Sequence, residues 1–206
     1  IDMPPATGGG ADRNAIPGYD IDALRVTGNR VLSMPIRTSA LRSLGAFAQV
    51  FAIESMIDEI AHALRVDPLD MRLRHLSDPR ARAVLERVAA MGDWSRPRAE
   101  REALREQGIG LGLGWARYKA TGAWCAVLAE VEVTTGVRVR RLSIAVDVGL
   151  AINPDGVVNQ IEGGAIQACS WTLKEAMAFD DARLLGDSWD AYPILRFSEV
   201  PAVEVA

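Results

Sequence analysis

Cysteine and histidine are scarce in this 206-residue chain, with two of each. Cys125 and Cys169 lie far apart and form no C-x-x-C pair. A thiolate-held zinc or iron–sulfur cluster needs about three or four clustered soft ligands, so these two residues read as free, buried thiols and the chain offers no metal ligand set. His62 and His75 are too few for a histidine-rich site. A basic excess is also missing. The 23 Lys and Arg face 27 Asp and Glu, the net charge is −4, and no basic arm stands out, which argues against a general nucleic-acid binder. No apolar run approaches the ~20 residues that span a bilayer, nothing at the front has the form of a signal peptide, and no internal repeat is evident. A soluble protein is expected, cytoplasmic or periplasmic. The chain starts at Ile1 rather than methionine and its last four residues alternate like a strand, so both ends are expected to be cuts through a longer polypeptide. What is present is ordinary for a globular protein, 49% hydrophobic and 24% charged, and long enough to bury a core.

Residues 1–40 are rich in Gly, Pro, Asp and Asn around Gly8-Gly9-Gly10 and read as an irregular connection, with one short strand near residues 23–26. From Ala46 to Leu64 the period becomes helical. Val50, Ile53, Ile57, Ala61 and Leu64 fall on one stripe, with Ser55, Asp58, Glu59 and His62 opposite. His62 is therefore a solvated residue. Asp67-Pro68 and Asp78-Pro79 each open a further helix, with an acid to cap and a proline fitted to the first position. Residues 99–107 form a short charged helix that Gly108 terminates.

The period then falls to two. Gly108-Ile109-Gly110-Leu111-Gly112-Leu113-Gly114-Trp115 alternates glycine with bulky residues. A dinucleotide-binding G-x-G-x-x-G fails, because the third glycine would be Leu113 or Trp115. The segment reads as a strand with one bare face, approached by a neighbouring chain segment more readily than by a ligand. Residues 123–133 form a second strand, Thr134-Thr135-Gly136 a turn, and residues 137–148 a third strand whose phase slips near Arg140-Arg141, as at a bulge. Asn153-Pro154-Asp155 opens a long helix to about Phe179. One stripe carries Gln160, Gly163, Gly164, Gln167 and Trp171, the other Ile161, Ala165 and Cys169. Two adjacent helical glycines cost about 1 kcal/mol each relative to alanine, which suits either tight packing or the close approach of a ligand. Glu162 lies towards the apolar stripe, where a carboxylate is either paired with a buried partner or shifted in pKa, and a paired structural acid is favoured there over a catalytic one.

Several of these segments, in order, resemble one family. Leu41-Arg42-Ser43-Leu44-Gly45, running into Gln49-Val50-Phe51-Ala52-Ile53-Glu54-Ser55, looks like the active-site loop and helix of molybdenum hydroxylase large subunits of the xanthine dehydrogenase/aldehyde oxidase family. It is most similar to the isoquinoline oxidoreductase beta-subunit type, which has Arg-Ser-hydrophobic-Gly where xanthine dehydrogenases have Arg-Gly-aromatic-Gly. Asp67-Pro68 with Arg72-Leu73, Asp147-Val148-Gly149, Asn153-Pro154, Gln160-Ile161-Glu162-Gly163-Gly164 with Gln167, and Tyr192-Pro193-Ile194-Leu195-Arg196 resemble later segments of that region.

The resemblance implies that Arg42, Ser43 and Leu44 border the substrate and that Gln160, with the backbone at Gly163 and Gly164, lies near the molybdopterin, in its cytosine dinucleotide form. Leu44 stands where xanthine dehydrogenases carry an aromatic that stacks on purines, so purine specificity is not implied. It further implies hydroxylation of aldehydes or N-heteroaromatic rings with oxygen from water, and electron exit through an iron–sulfur subunit. The family's glutamate base lies in a Gly-Val-Gly-Glu-Pro-like motif that these residues do not contain. No catalytic residue or metal ligand is therefore assigned, and Glu162, in a different motif, is not promoted to that role. These residues alone are expected to hold no cofactor and to be inactive without the remainder of the large subunit. The contrasting expectation is a cofactor-free structural or interaction domain with the same fold. The fold class is α+β: a helical N-terminal half, then a mostly antiparallel sheet packed on a long helix. The chain divides into an irregular segment (1–40), a helical active-site-loop region (41–108) and a sheet-plus-helix region (109–206).

Overall fold

Polar caps set where three of the helices of this chain start. The computed structural model describes residues 10, 12–29, 31, 33–34, 36, 41–118, 122–181, 183–186 and 188–206; Gly8 and Gly9 of the glycine cluster lie outside them. Helix α1 spans Ala46–Leu64. Helix α2 (Pro68–Arg74) starts at Asp67, whose carboxylate accepts the Leu69 amide at 2.9 Å. Helix α3 (Pro79–Met91) starts at Asp78, which accepts the Arg80 and Ala81 amides. The charged α4 follows at Arg98–Glu106. Helix α5 (Pro154–Leu173) begins at Asn153, whose side-chain oxygen accepts the Gly156 amide at 3.0 Å. Each cap satisfies an amide that the helix itself leaves orphaned.

The sheet has the order β1-β2-β3-β4: β1 Ile109–Tyr118, β2 Ala123–Glu132, β3 Arg138–Asp147 and β4 Ala202–Val205. β1, β2 and β3 form an antiparallel meander. The expected bulge is present, since Glu130 pairs Arg141 while Val131 pairs Val139, leaving Arg140 as the extra residue. β4 lies parallel to β3, reached by the crossover that contains α5. The chain is α+β, with three of its four strands antiparallel.

Both faces of the sheet are covered. Trp124, Ala126 and Leu128 of β2 face α3, where Val84, Leu85 and Val88 are buried. Each such aliphatic side chain contributes about 1.5–3 kcal/mol by leaving water. Cys125, Val127 and Ala129, the alternate residues, join Leu142 and Ile144 on the opposite face, against Ile161, Ala165 and Cys169 of α5. The contact on the α3 side is close. A Cβ at Gly92, which caps α3, would lie 1.8 Å from Leu128 Cδ2, so glycine is required for this approach.

Four expectations are corrected. Residues 23–26 form no strand, and Leu24 there is exposed. Helix α5 ends at Leu173 rather than near Phe179, where the Lys174 and Glu175 amides both donate to the Ser170 carbonyl. Cys125 is half-buried rather than buried, while Cys169 is buried; both thiols are free, and burial raises the pKa of both, that of Cys125 to about 11. Glu162 is half-buried and makes no ion pair among the described residues, so it is not the buried paired acid expected. Among the described residues no helix is long and apolar enough to cross a membrane.

Candidate functional site

Arg42 and the glycine-bearing helix, separated by more than a hundred residues of sequence, meet in space. The Arg42 guanidinium donates from Nη2 to the Gln160 carbonyl at 3.1 Å and from Nη1 to Gln167 Oε1 at 3.2 Å. Gly164 makes room for it: a Cβ there would sit 3.2 Å from Nη2 and 3.4 Å from the guanidinium carbon. One turn further along α5, Trp171 meets Phe47 of α1 edge to face, with ring centroids 5.3 Å apart. The stripe Gln160, Gly164, Gln167 and Trp171 is thus the surface on which the start of α1 rests.

The residues between Arg42 and α1 are under strain. Ser43 and Leu44 both have left-handed backbones, φ 71° and 56°, a conformation that costs non-glycine residues roughly 1–2 kcal/mol each. The Ser43 hydroxyl donates to the Arg42 carbonyl, and the Leu44 and Ala46 amides close the turn on Leu41 and Ser43. Leu41, Arg42 and Ser43 are exposed and Leu44 is half-buried.

Gly163, unlike Gly164, faces open space, with nothing within 4 Å of an added Cβ, and Gln160 beside it is exposed. A bare helix backbone next to a carboxamide, which both donates and accepts, fits a flat polar heterocycle such as a pterin. The bare face of β1 has a different explanation. A Cβ added at Gly114 would lie 3.8 Å from the Glu54 side chain, a chain neighbour as expected, whereas Gly110 and Gly112 face open space.

Behind the turn lies a charged cluster that the sequence reading missed. Glu54 of α1 is buried and Arg72 of α2 is wholly so. Arg72 Nε donates to Glu54 Oε2 at 2.9 Å, Tyr19 Oη donates to Oε1 at 2.7 Å, and the Trp115 amide of β1 donates to Oε2 at 3.1 Å. Arg72 Nη1 also reaches Asp58 at 2.6 Å and the Pro68 carbonyl at 3.1 Å. Burial pushes the Glu54 carboxyl above its ordinary value, against the pull of Arg72 and the donors around it. Burial also raises the Tyr19 hydroxyl, with the Glu54 charge adding to it. A signal was available. Glu54 falls four residues after Val50 and three before Ile57, within the apolar stripe, and a carboxylate there calls for a basic partner.

A second ion pair fixes the end of β3. Arg80 of α3 grips Asp147 through both Nε (2.7 Å) and Nη2, and its guanidinium stacks 3.7 Å over the Trp124 ring. The Arg80 hydrogen bond and then the Gly149 amide pull the Asp147 carboxyl down to about 2. Further along, Tyr192 donates to Glu175 and the Leu195 amide to Ser170 Oγ, tying the residues after α5 back to its last turn.

A family model described as "Molybdopterin cofactor-binding domain" matches residues 48–201, and a second of the same description matches residues 3–76. The chain is 42% identical to a nicotinate dehydrogenase subunit of Pseudomonas putida, over 94% of this chain and 17% of that protein. It is 38% identical to the beta subunit of isoquinoline 1-oxidoreductase of Brevundimonas diminuta, over 80% of this chain and 21% of that protein. The chain therefore spans about a fifth of the length of these curated relatives. Among solved structures, quinoline 2-oxidoreductase from Pseudomonas putida 86 superposes with a TM-score of 0.66 at 14% identity, over 79% of this chain and 45% of that one. Cu,Mo-CO dehydrogenase superposes with a TM-score of 0.64 at 12% identity, over 78% of this chain and 44% of that one. At those identities the likeness is one of fold.

Proposed function

We propose, for a chain that belongs to the molybdopterin cofactor-binding family of the xanthine dehydrogenase type, that it forms one wall of the cofactor and substrate site of a molybdenum hydroxylase. Its substrates would be N-heteroaromatic compounds or aldehydes, hydroxylated with oxygen from water. The names of the two relatives, one acting on nicotinate and one on isoquinoline, support the heteroaromatic class. The observation that carries the reading is the Arg42 contact with Gln160 and Gln167, because it brings the loop and the glycine helix onto one surface.

In this reading Gln160 and the Gly163–Gly164 backbone face the pterin, in its cytosine dinucleotide form, and Arg42, Ser43 and Leu44 form the loop beside the substrate. Bound molybdopterin supplies the two-electron redox centre of the hydroxylation. The chain's own part is to orient. The Gln160 carboxamide offers complementary hydrogen bonds to the heterocycle, the bare backbone at Gly163 permits flat contact, and Leu44 offers an aliphatic edge to an apolar ring. The remainder of a large subunit and an iron–sulfur subunit complete the enzyme, and these residues alone are inactive.

Molybdenum and pterin analysis of the protein made from the complete open reading frame tests the proposal. Close to one molybdenum and one pterin per chain is expected. A full-length natural product that is folded yet free of both would overturn it in favour of a cofactor-free interaction domain.

A further inference from the structure

The loop residue with the most reach is exposed, yet it directs its donors to the helix. Arg42 directs two of its donors to α5, one to a backbone carbonyl and one to a side-chain amide. The carbonyl it reaches, that of Gln160, belongs to the helix turn that Gly164 completes, and side chains at i+4 ordinarily cover that position. Gly164 carries no such cover, so the guanidinium lies directly against the helix. The two residues after Arg42 hold unfavourable backbone angles and do not stay in them unaided. The turn has two fastenings to α5, the guanidinium on one side and the Phe47–Trp171 contact on the other.

We propose that Arg42 is a positioning residue, seated over Gly164, that holds the strained Ser43–Leu44 turn in place, and that the substrate meets Ser43 and Leu44 rather than the Arg42 charge. This rests on the proposed site. It assigns the two glycines different tasks: Gly164 admits the arginine and Gly163 stays open. It also explains why a lysine would serve poorly, since a single ammonium cannot span the carbonyl and the amide with the planar fork of a guanidinium.

The experiment uses the complete enzyme with the variants R42A, R42K and Q167L and the double variant R42A/Q167L. Two readouts are taken. The first is amide hydrogen exchange across residues 45–53, measured whether or not cofactor is present. R42A is expected to accelerate exchange by about tenfold, the loss of roughly one charge-assisted hydrogen bond, with R42K intermediate and the double variant no faster than R42A. The second is kcat/KM for a neutral N-heteroaromatic ring and for a carboxylate-bearing one. A positioning role lowers both by the same factor, chiefly through kcat.

Unchanged exchange in R42A would overturn the proposal. So would a loss about tenfold greater for the carboxylate-bearing substrate, which would mark a direct charge contact. Wild-type enzyme lacking molybdenum would sink the proposed function while leaving the exchange result to decide the role of Arg42.

Discussion

Arg72 is the most demanding single residue in the molecule. Its guanidinium is wholly buried, and its partners Glu54 and Asp58 lie on a different helix. Replacing it with methionine strands the Glu54 carboxylate among apolar neighbours, a change that costs about 3–5 kcal/mol in comparable buried pairs. The R72M variant is expected to lose that much in urea unfolding, and E54Q/R72M to lose distinctly less, because no charge is then stranded. Equal losses would mean that water reaches Glu54. Asp147 makes a pH-dependent contribution. Its native pKa is depressed to about 2 by the Arg80 hydrogen bond first and the Gly149 amide second. A depressed carboxyl stabilises fully above the unfolded value of about 4 and loses its contribution as pH falls from there towards about 2. D147N should therefore unfold at lower urea than wild type at about pH 6, and the two midpoints should converge near pH 2.

Among the elements, the caps were the most legible part of the sequence. Asp67-Pro68, Asp78-Pro79 and Asn153-Pro154 each start a helix where their chemistry requires. The α1 period gives its bounds as Ala46–Leu64, and the slip at Arg140 marks the bulge. Other features depend on partners that only three dimensions supply. Residues 23–26 form no strand, and the cluster around Glu54 joins Tyr19, α1, α2 and β1 across distances no local pattern spans. At the site, the stripe Gln160, Gly164, Gln167 and Trp171 was readable as one face of α5, and the resemblance implied that the Arg42 turn lies near it, but the direct seating of the guanidinium on Gln160 and Gln167 was not readable. Two element-level variants test the packing. G92A drives a methyl into Leu128 and is expected to cost about 1–3 kcal/mol, with G92A/L128A costing less than the sum of its two single variants if the clash is the cause. N153A removes the α5 cap and should cost about 1 kcal/mol in thermal unfolding, a loss that aspartate at the same position would not produce.

At the scale of the whole molecule, the apolar surface is conspicuous. Leu150 and Ile152, in the short loop before α5, are 87% and 85% exposed, and Trp189 and Phe197 beyond the helix are exposed as well. Large apolar side chains exposed to this degree mark contact surfaces or association liabilities where they form a contiguous patch. The isolated 206-residue chain is expected to self-associate in analytical ultracentrifugation, and L150S/I152S to shift it towards monomer. A monomeric wild-type chain would show that these residues are tolerated in water. The parallel pairing of β4 with β3 carries a consequence for the order of assembly. The meander of β1 to β3 needs only neighbouring hairpins and can zip up while the ribosome is still adding residues. β4 instead waits for everything between residues 148 and 201, incurring the closure entropy of a long excursion before any ladder bond forms. Until then β3 presents an open edge, and that interval is when a nascent chain most needs a chaperone.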